Sequence, residues 1–229
     1  MPAWTPFVGF VLAVTAVVVA LARATAAMGD SGPVPAEIEA WTPVDLSLNV
    51  ALTHGAIGAA VAGAAWFSDI PASALGLDAP APVAVGLGVA AGAALYVLDE
   101  TAAWLADRLG VPYSERLREF LTPETRGGWV VLLFVALPAV AGAEELLFRA
   151  ALVGVPAAAY GVSPWLLAVP SSLLFGAAHG TQGPGGAVVA ALLGFGLAAT
   201  YVLTGSLLAA VVAHYLVNAA EFAGHEYVR

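Results

Sequence analysis

Seven times along its 229 residues the chain passes through about twenty apolar residues in a row, the length an α-helix needs to cross roughly 30 Å of hydrocarbon at about 1.5 Å per residue. The runs lie near 4–24, 46–67, 82–105, 128–151, 163–178, 187–203 and 206–222, the last three rather short. Backbone groups inside a bilayer meet no water, so a segment of this kind closes its hydrogen bonds on itself as a helix. Hydrophobic residues make up 61% of the chain and charged residues only 10%, against about 25% charged in a soluble domain. A soluble core cannot hide so much apolar surface in so small a volume, and the excess must face lipid. A water-soluble globule and a disordered chain are both excluded. The expected fold is all-α: a polytopic transmembrane helix bundle of about seven membrane helices, within a range of six to eight, in one integral membrane domain over residues 1–229.

No Cys is present, which removes disulfides, thiolate metal sites and cysteine nucleophiles together. The 7 basic residues are all Arg and stand against 16 acids, for a net charge of −9. That balance argues against nucleic acid as a partner. Arg108, Arg116, Arg118 and Arg126 fall in one connection, 106–127, which the positive-inside rule places in the cytoplasm. Counting outward from it puts the amino terminus outside and the carboxyl terminus inside. Within the connection, Tyr113, Leu117, Phe120 and Leu121 share a helical face opposite Glu115, Arg116, Arg118 and Glu119, the pattern of a short helix lying on the membrane surface. The first run has no basic segment before it and is too long for a signal-peptide core, so it is expected to stay as a helix. The chain thus divides into amino-terminal membrane helices (1–105), the connection (106–127) and a second set of helices (128–222).

A charged side chain at mid-membrane costs at least about 2.5–3.5 kcal/mol, so each one requires a partner or a task. The fourth run holds Glu144, Glu145 and Arg149 within six residues. Positions four apart share a helix face, and Glu145 can pair with Arg149 in the favoured order, acid before base. Glu144 points about 100° away and is left for other work. Phe175 and His179 share a face in the fifth run, as do His214 and Asn218 in the seventh. If these helices converge, Glu144, His179, His214 and Asn218 meet in one polar pocket. It would hold a general base, proton carriers and donors for an oxyanion, without a Ser or Cys nucleophile, which makes water the natural attacker. His54 and Asn49 in the second run receive no role, and Asp99 with Glu100 reads as an interfacial pair of acids. Gly29-Asp30-Ser31-Gly32 matches the Gly-x-Ser-Gly pattern of serine proteases, but Pro33, Pro35, Glu37 and Glu39 follow and mark an exposed loop.

The ordered set Glu-Glu-x-x-x-Arg at 144–149, Phe-x-x-x-His at 175–179 and His-x-x-x-Asn at 214–218 resembles the CPBP family of intramembrane proteases, which includes the type II CAAX prenyl endopeptidases and bacteriocin-immunity relatives. The resemblance covers residues 128–222; each motif alone is weak, and the ordered trio is specific. Ala150 departs from the pattern, since many relatives carry Gly after the Arg. The resemblance implies hydrolysis of a peptide bond near or within the membrane, on a peptide or protein substrate, the best-known one in the family having a lipidated carboxyl terminus. Carried over by position, it implies that Glu144 and His179 activate water, that His214 and Asn218 stabilise the oxyanion, and that Glu145 and Arg149 hold the site together with Phe175 packed beside it. Two versions stay open: a metal-free one, and one with zinc on Glu144, His179 and His214 and water in the fourth position. Against zinc, the His-Glu-x-x-His helix is absent.

Two rival readings use the same residues: a transporter or proton relay, for which intramembrane Glu, His and Arg are generic signs, and a non-catalytic immunity or binding scaffold. A depth check adds a structural expectation. If the fourth helix starts at 128, Glu144 lies about 24 Å along it, whereas His179 ends the fifth run. Straight perpendicular helices would keep the two apart. The fourth helix is therefore expected to be tilted, broken or longer than one span, with Pro138, Pro156 and Pro170 as sites of bending.

Overall fold

A computed structural model describes residues 1–29, 41–111 and 116–227, and no strand occurs among them. The helices are α1 (Trp4–Gly29), α2 (Pro43–Phe67), α3 (Ala81–Arg108), the short α4 (Arg116–Leu121), the long α5 (Arg126–Tyr160), α6 (Pro164–Ala178), α7 (Gly183–Thr204) and α8 (Leu207–Tyr227). Among the described residues six helices are long and apolar enough to cross a membrane, and α6, with 15 residues, is a shorter apolar one. At about 1.5 Å per residue α6 reaches only about 22 Å, less than the hydrocarbon thickness. Large apolar side chains on the outside, such as Trp66, Phe67 and Leu203, are what a bundle solvated by lipid presents. The chain is an all-α, multi-pass membrane protein.

Local chemistry sets the helix ends. Thr42 caps α2 by accepting the Asp45 N–H, Asp45 accepts the Thr42 N–H at 3.0 Å, and Pro43 fills the first turn, where its missing donor is not needed. Tyr160 and Thr204 are followed by Gly161 at φ 67° and Gly205 at φ 62°, left-handed stops that other residues adopt at a cost. The Ser31 loop lies outside the described residues, as do Tyr113, Glu115 and the side chains of Arg116 and Leu117. Of the surface face expected on α4, Leu121 packs with Leu132, Leu137 and Phe222, while Phe120 remains exposed.

The fourth helix is longer than one span, at 35 residues, or about 52 Å. It contains two π-helical segments, Leu132–Ala136 and Leu146–Gly154, each ending shortly before a proline. Pro138 and Pro156 have no N–H to give and their rings crowd the carbonyl four residues back. The chain answers by shifting register. Leu137 N–H bonds the Leu132 carbonyl and Val155 N–H the Ala150 carbonyl, both five residues back. The second π segment begins directly after Glu145. Ser171, next to Pro170 on α6, donates to the Phe148 carbonyl inside it and ties the two helices together.

α8 lies along α3, and α7 along α6. The first contact depends on small residues. A Cβ on Gly88 would stand 2.7 Å from the Ala209 carbonyl oxygen, and one on Gly92 would stand 3.0 Å from that of Ala213. Only hydrogen at both positions lets the backbones approach so closely. The residue after Ala213 is His214.

Candidate active site

Glu145 is fully buried, and its Oε1 has two partners: Arg149 Nη1 at 2.9 Å and His214 Nδ1 at 2.8 Å. Arg149, equally buried, donates through Nη2 to the Gly194 carbonyl of α7 at 2.9 Å, and its guanidinium lies 4.5 Å over the Phe175 ring. A buried ion pair offsets its desolvation only when further hydrogen bonds and contacts satisfy both charges. Here an imidazole, a carbonyl and an aromatic face supply part of that, while Glu145 Oε2 and Arg149 Nε have no hydrogen-bond partner among the described residues. The pair joins α5, α6, α7 and α8 at one point.

Glu144, one residue earlier, faces a cavity of about 390 Å³ instead. His179, His214, Asn218 and Phe175 line the same cavity. The three motif-bearing helices do converge, with α5 long enough to carry Glu144 level with the end of α6. The Phe175 ring stands 4.4 Å from the His179 ring and 5.8 Å from that of His214, a shared wall between the imidazoles.

Each imidazole is held by its Nδ1. His179 Nδ1 is 2.8 Å from the Phe175 carbonyl. A carbonyl only accepts, so Nδ1 carries the hydrogen and, in the neutral ring, Nε2 carries the lone pair. His214 Nδ1 donates to the Glu145 carboxylate and its Nε2 stands 3.7 Å from Glu144 Oε2. The neutral form of an imidazole fixed in this way offers a lone pair at Nε2, and the protonated form a second donor.

Two expectations need correction. His54, given no role, reaches the site: its Nδ1 donates to the Val50 carbonyl at 2.9 Å and its Nε2 is 3.2 Å from Glu144 Oε1. His54 shares its face of α2 with Ser47 and Val61, seven residues to either side and fully buried in the structure, a placement that the sequence alone did not reveal. Asp99, expected at the interface, is only 7% exposed and lines the same cavity with Arg118 and Glu221. Arg118 Nη2 donates to Glu221 Oε2 at 2.7 Å. The pairing joins helices distant in sequence, so no local pattern announced it. Asn49 and Glu100 remain exposed.

Zinc on Glu144, His179 and His214 would need these donors to surround one point. Among the described residues no group of three or more His, Asp or Glu is arranged to hold a metal ion, and Glu144 Oε1 is engaged directly by His54. The residues as they stand do not fit a resident zinc ion.

Residues 126–220 match the family model described as Type II CAAX prenyl endopeptidase Rce1-like. The stretch contains Glu144, Glu145, Arg149, Phe175, His179, His214 and Asn218 but neither His54 nor Asp99. No curated protein and no solved structure matches the chain.

Proposed function

Taking residues 126–220 as a domain of the Rce1-like type II CAAX prenyl endopeptidase family, we propose that the chain is an intramembrane endopeptidase that hydrolyses a peptide bond with a water activated by Glu144 and His179. One observation carries the reading: Glu144, His179, His214 and Asn218 line one cavity inside the bundle, while the adjacent Glu145–Arg149 ion pair is buried behind them. The division of labour follows from the partners. Glu145 Oε1 is committed to Arg149 and His214 and Glu145 does not line the cavity, whereas Glu144 does, with its Oε2 buried without a hydrogen-bond partner among the described residues. A buried acceptor left in that state costs about 1–3 kcal/mol unless something bonds to it, and a water in the cavity would do so.

In the reaction Glu144 Oε2 or His179 Nε2 takes a proton as the water oxygen adds to the scissile carbonyl. His214, through Nε2–H in its protonated form, and the Asn218 carboxamide donate to the resulting oxyanion. Collapse returns the proton to the leaving amine. No step requires a metal. The substrate is a peptide or protein at the membrane, and a lipidated carboxyl terminus is a candidate because the cavity walls are largely apolar, with Val18 and Leu21 of α1 and Leu193 of α7 among them.

The test is cleavage of a fluorogenic prenylated peptide by protein in proteoliposomes, alongside a search for new carboxyl termini in membranes holding wild-type or Glu144→Ala protein. Glu144→Ala and His179→Ala are each expected to lose at least about 10²-fold in turnover while the protein still folds. Undiminished cleavage by Glu144→Ala sinks the mechanism. A chelator is expected to change nothing; loss of activity reversed by zinc would restore the metal version. A second reading, a proton or ion relay, draws on Asp99, Arg118 and Glu221, which extend the polar lining beyond Glu144. Ion flux without cleavage would favour it.

A further inference from the structure

We propose that His54 is a positioning residue for Glu144, so that the site is completed by a helix outside the stretch matched to the family. The inference rests on the endopeptidase reading and deepens it.

The two oxygens of Glu144 have different surroundings. Oε1 is 3.2 Å from His54 Nε2. Oε2 is 3.7 Å from His214 Nε2 and has no hydrogen-bond partner among the described residues. A carboxylate held at neither oxygen swings about its last torsion, a broad and soft one, and presents either oxygen to a bound water. With Oε1 held, Oε2 alone is offered.

His54 is built for that task. Its Nδ1 must carry hydrogen, because the Val50 carbonyl at 2.9 Å can only accept. The bond locks the ring against its own helix and aims Nε2 across the cavity. A hydrogen then lies between Nε2 and Oε1, whichever of the two owns it, since a bare lone pair facing a carboxylate oxygen at this distance would repel. Ser47 and Val61, above and below His54 on the same face of α2, are buried. Gly58, one turn on from His54, lets α2 close onto α5: a Cβ there would stand 3.3 Å from that of Ala143, the residue before Glu144. The approach of α2 therefore fixes the distance across which His54 works.

The experiment compares His54→Ala, His54→Gln and Asn49→Ala with wild type, in liposomes and with a prenylated fluorogenic peptide. His54→Ala should lower kcat by about 10²-fold, the cost of a catalytic group misplaced by about an ångström, with KM nearly unchanged. His54→Gln, whose carboxamide N–H can still donate to Oε1, should recover most of that loss. Asn49→Ala, on the exposed side of α2, should match wild type. A His54→Ala enzyme as fast as wild type overturns the proposal. So does a His54→Gln enzyme as slow as His54→Ala when both are folded.

A measurement independent of turnover separates this proposal from the endopeptidase reading. In protein carrying ¹⁵N-labelled histidine, with the His54 signals assigned by their absence in His54→Gln, Glu144→Gln should move the Nε2 resonance of His54. If those signals do not move, the proposal falls even where the enzyme cleaves. If they move and no peptide is cleaved, the contact stands and the endopeptidase reading is what fails.

Discussion

At the scale of single residues, adjacent carboxylates on one helix have opposite fates. Glu145 Oε1 is taken up by Arg149 and His214 away from the cavity, and Glu144 lines the cavity itself. Arg149→Ala strands Glu145 as an uncompensated charge in a buried site, at a cost of about 3–5 kcal/mol. Thermal unfolding in detergent should report that loss, and the combined Glu145→Ala/Arg149→Ala change should cost less than the sum of the two. Arg149→Lys should also fall short, because an ammonium cannot serve the Glu145 carboxylate, the Gly194 carbonyl and the Phe175 face together. This part of the site was readable in the sequence: helical spacing alone separates Glu144 from the Glu145–Arg149 face. His54 and Asp99 were not read correctly. Neither has a charged partner within reach on its own helix, and the residue it meets, Glu144 or Glu221, lies 90 or more positions away.

Among the elements, α5 and the α3–α8 contact do most to place the chemistry. The sequence pointed to an unusual fourth helix through a conflict of depths and through Pro138 and Pro156. It did not disclose how the conflict is resolved, because a π turn is a local answer to a missing donor and leaves no periodicity of its own. The close packing of α8 on α3 was also hidden. Gly86, Gly88 and Gly92 look alike in a row of small residues, and only the partner helix distinguishes them. Gly88→Val would drive a Cβ to 2.7 Å from the Ala209 carbonyl oxygen, whereas a Cβ on Gly86 meets nothing within 4 Å. Gly88→Val is accordingly expected to cost about 1–3 kcal/mol through overpacking and to reduce cleavage by shifting the helix that bears His214. Gly86→Val should be silent in both melting and cleavage assays.

For the whole molecule, length and apolar composition dictated a lipid-solvated bundle of helices, and the six spans and one shorter helix among the described residues are that bundle. The orientation expected from the Arg-rich connection is directly measurable, since the chain has no Cys of its own. Asp107→Cys in the connection should react with an impermeant maleimide only after cells are opened, and Ser73→Cys, between α2 and α3, in intact cells. The reverse pattern would invert the topology. The Arg118–Glu221 pair at 2.7 Å pins α4 to α8. Arg118→Gln should make the 106–127 connection easier to cut by added protease, and added salt should do little to wild type, because the pair is largely buried.

The neighbouring positions of Glu144 and Glu145 on α5 act as two teeth on one axle. A twist of that rod sufficient to withdraw the working oxygen from its target would also drag the strut that keeps His214 aligned, and a twist in the other sense would do the same in reverse. If the endopeptidase reading holds, a ligand that levers α5 round by a fraction of a turn should stop cleavage without entering the cavity that Glu144 lines.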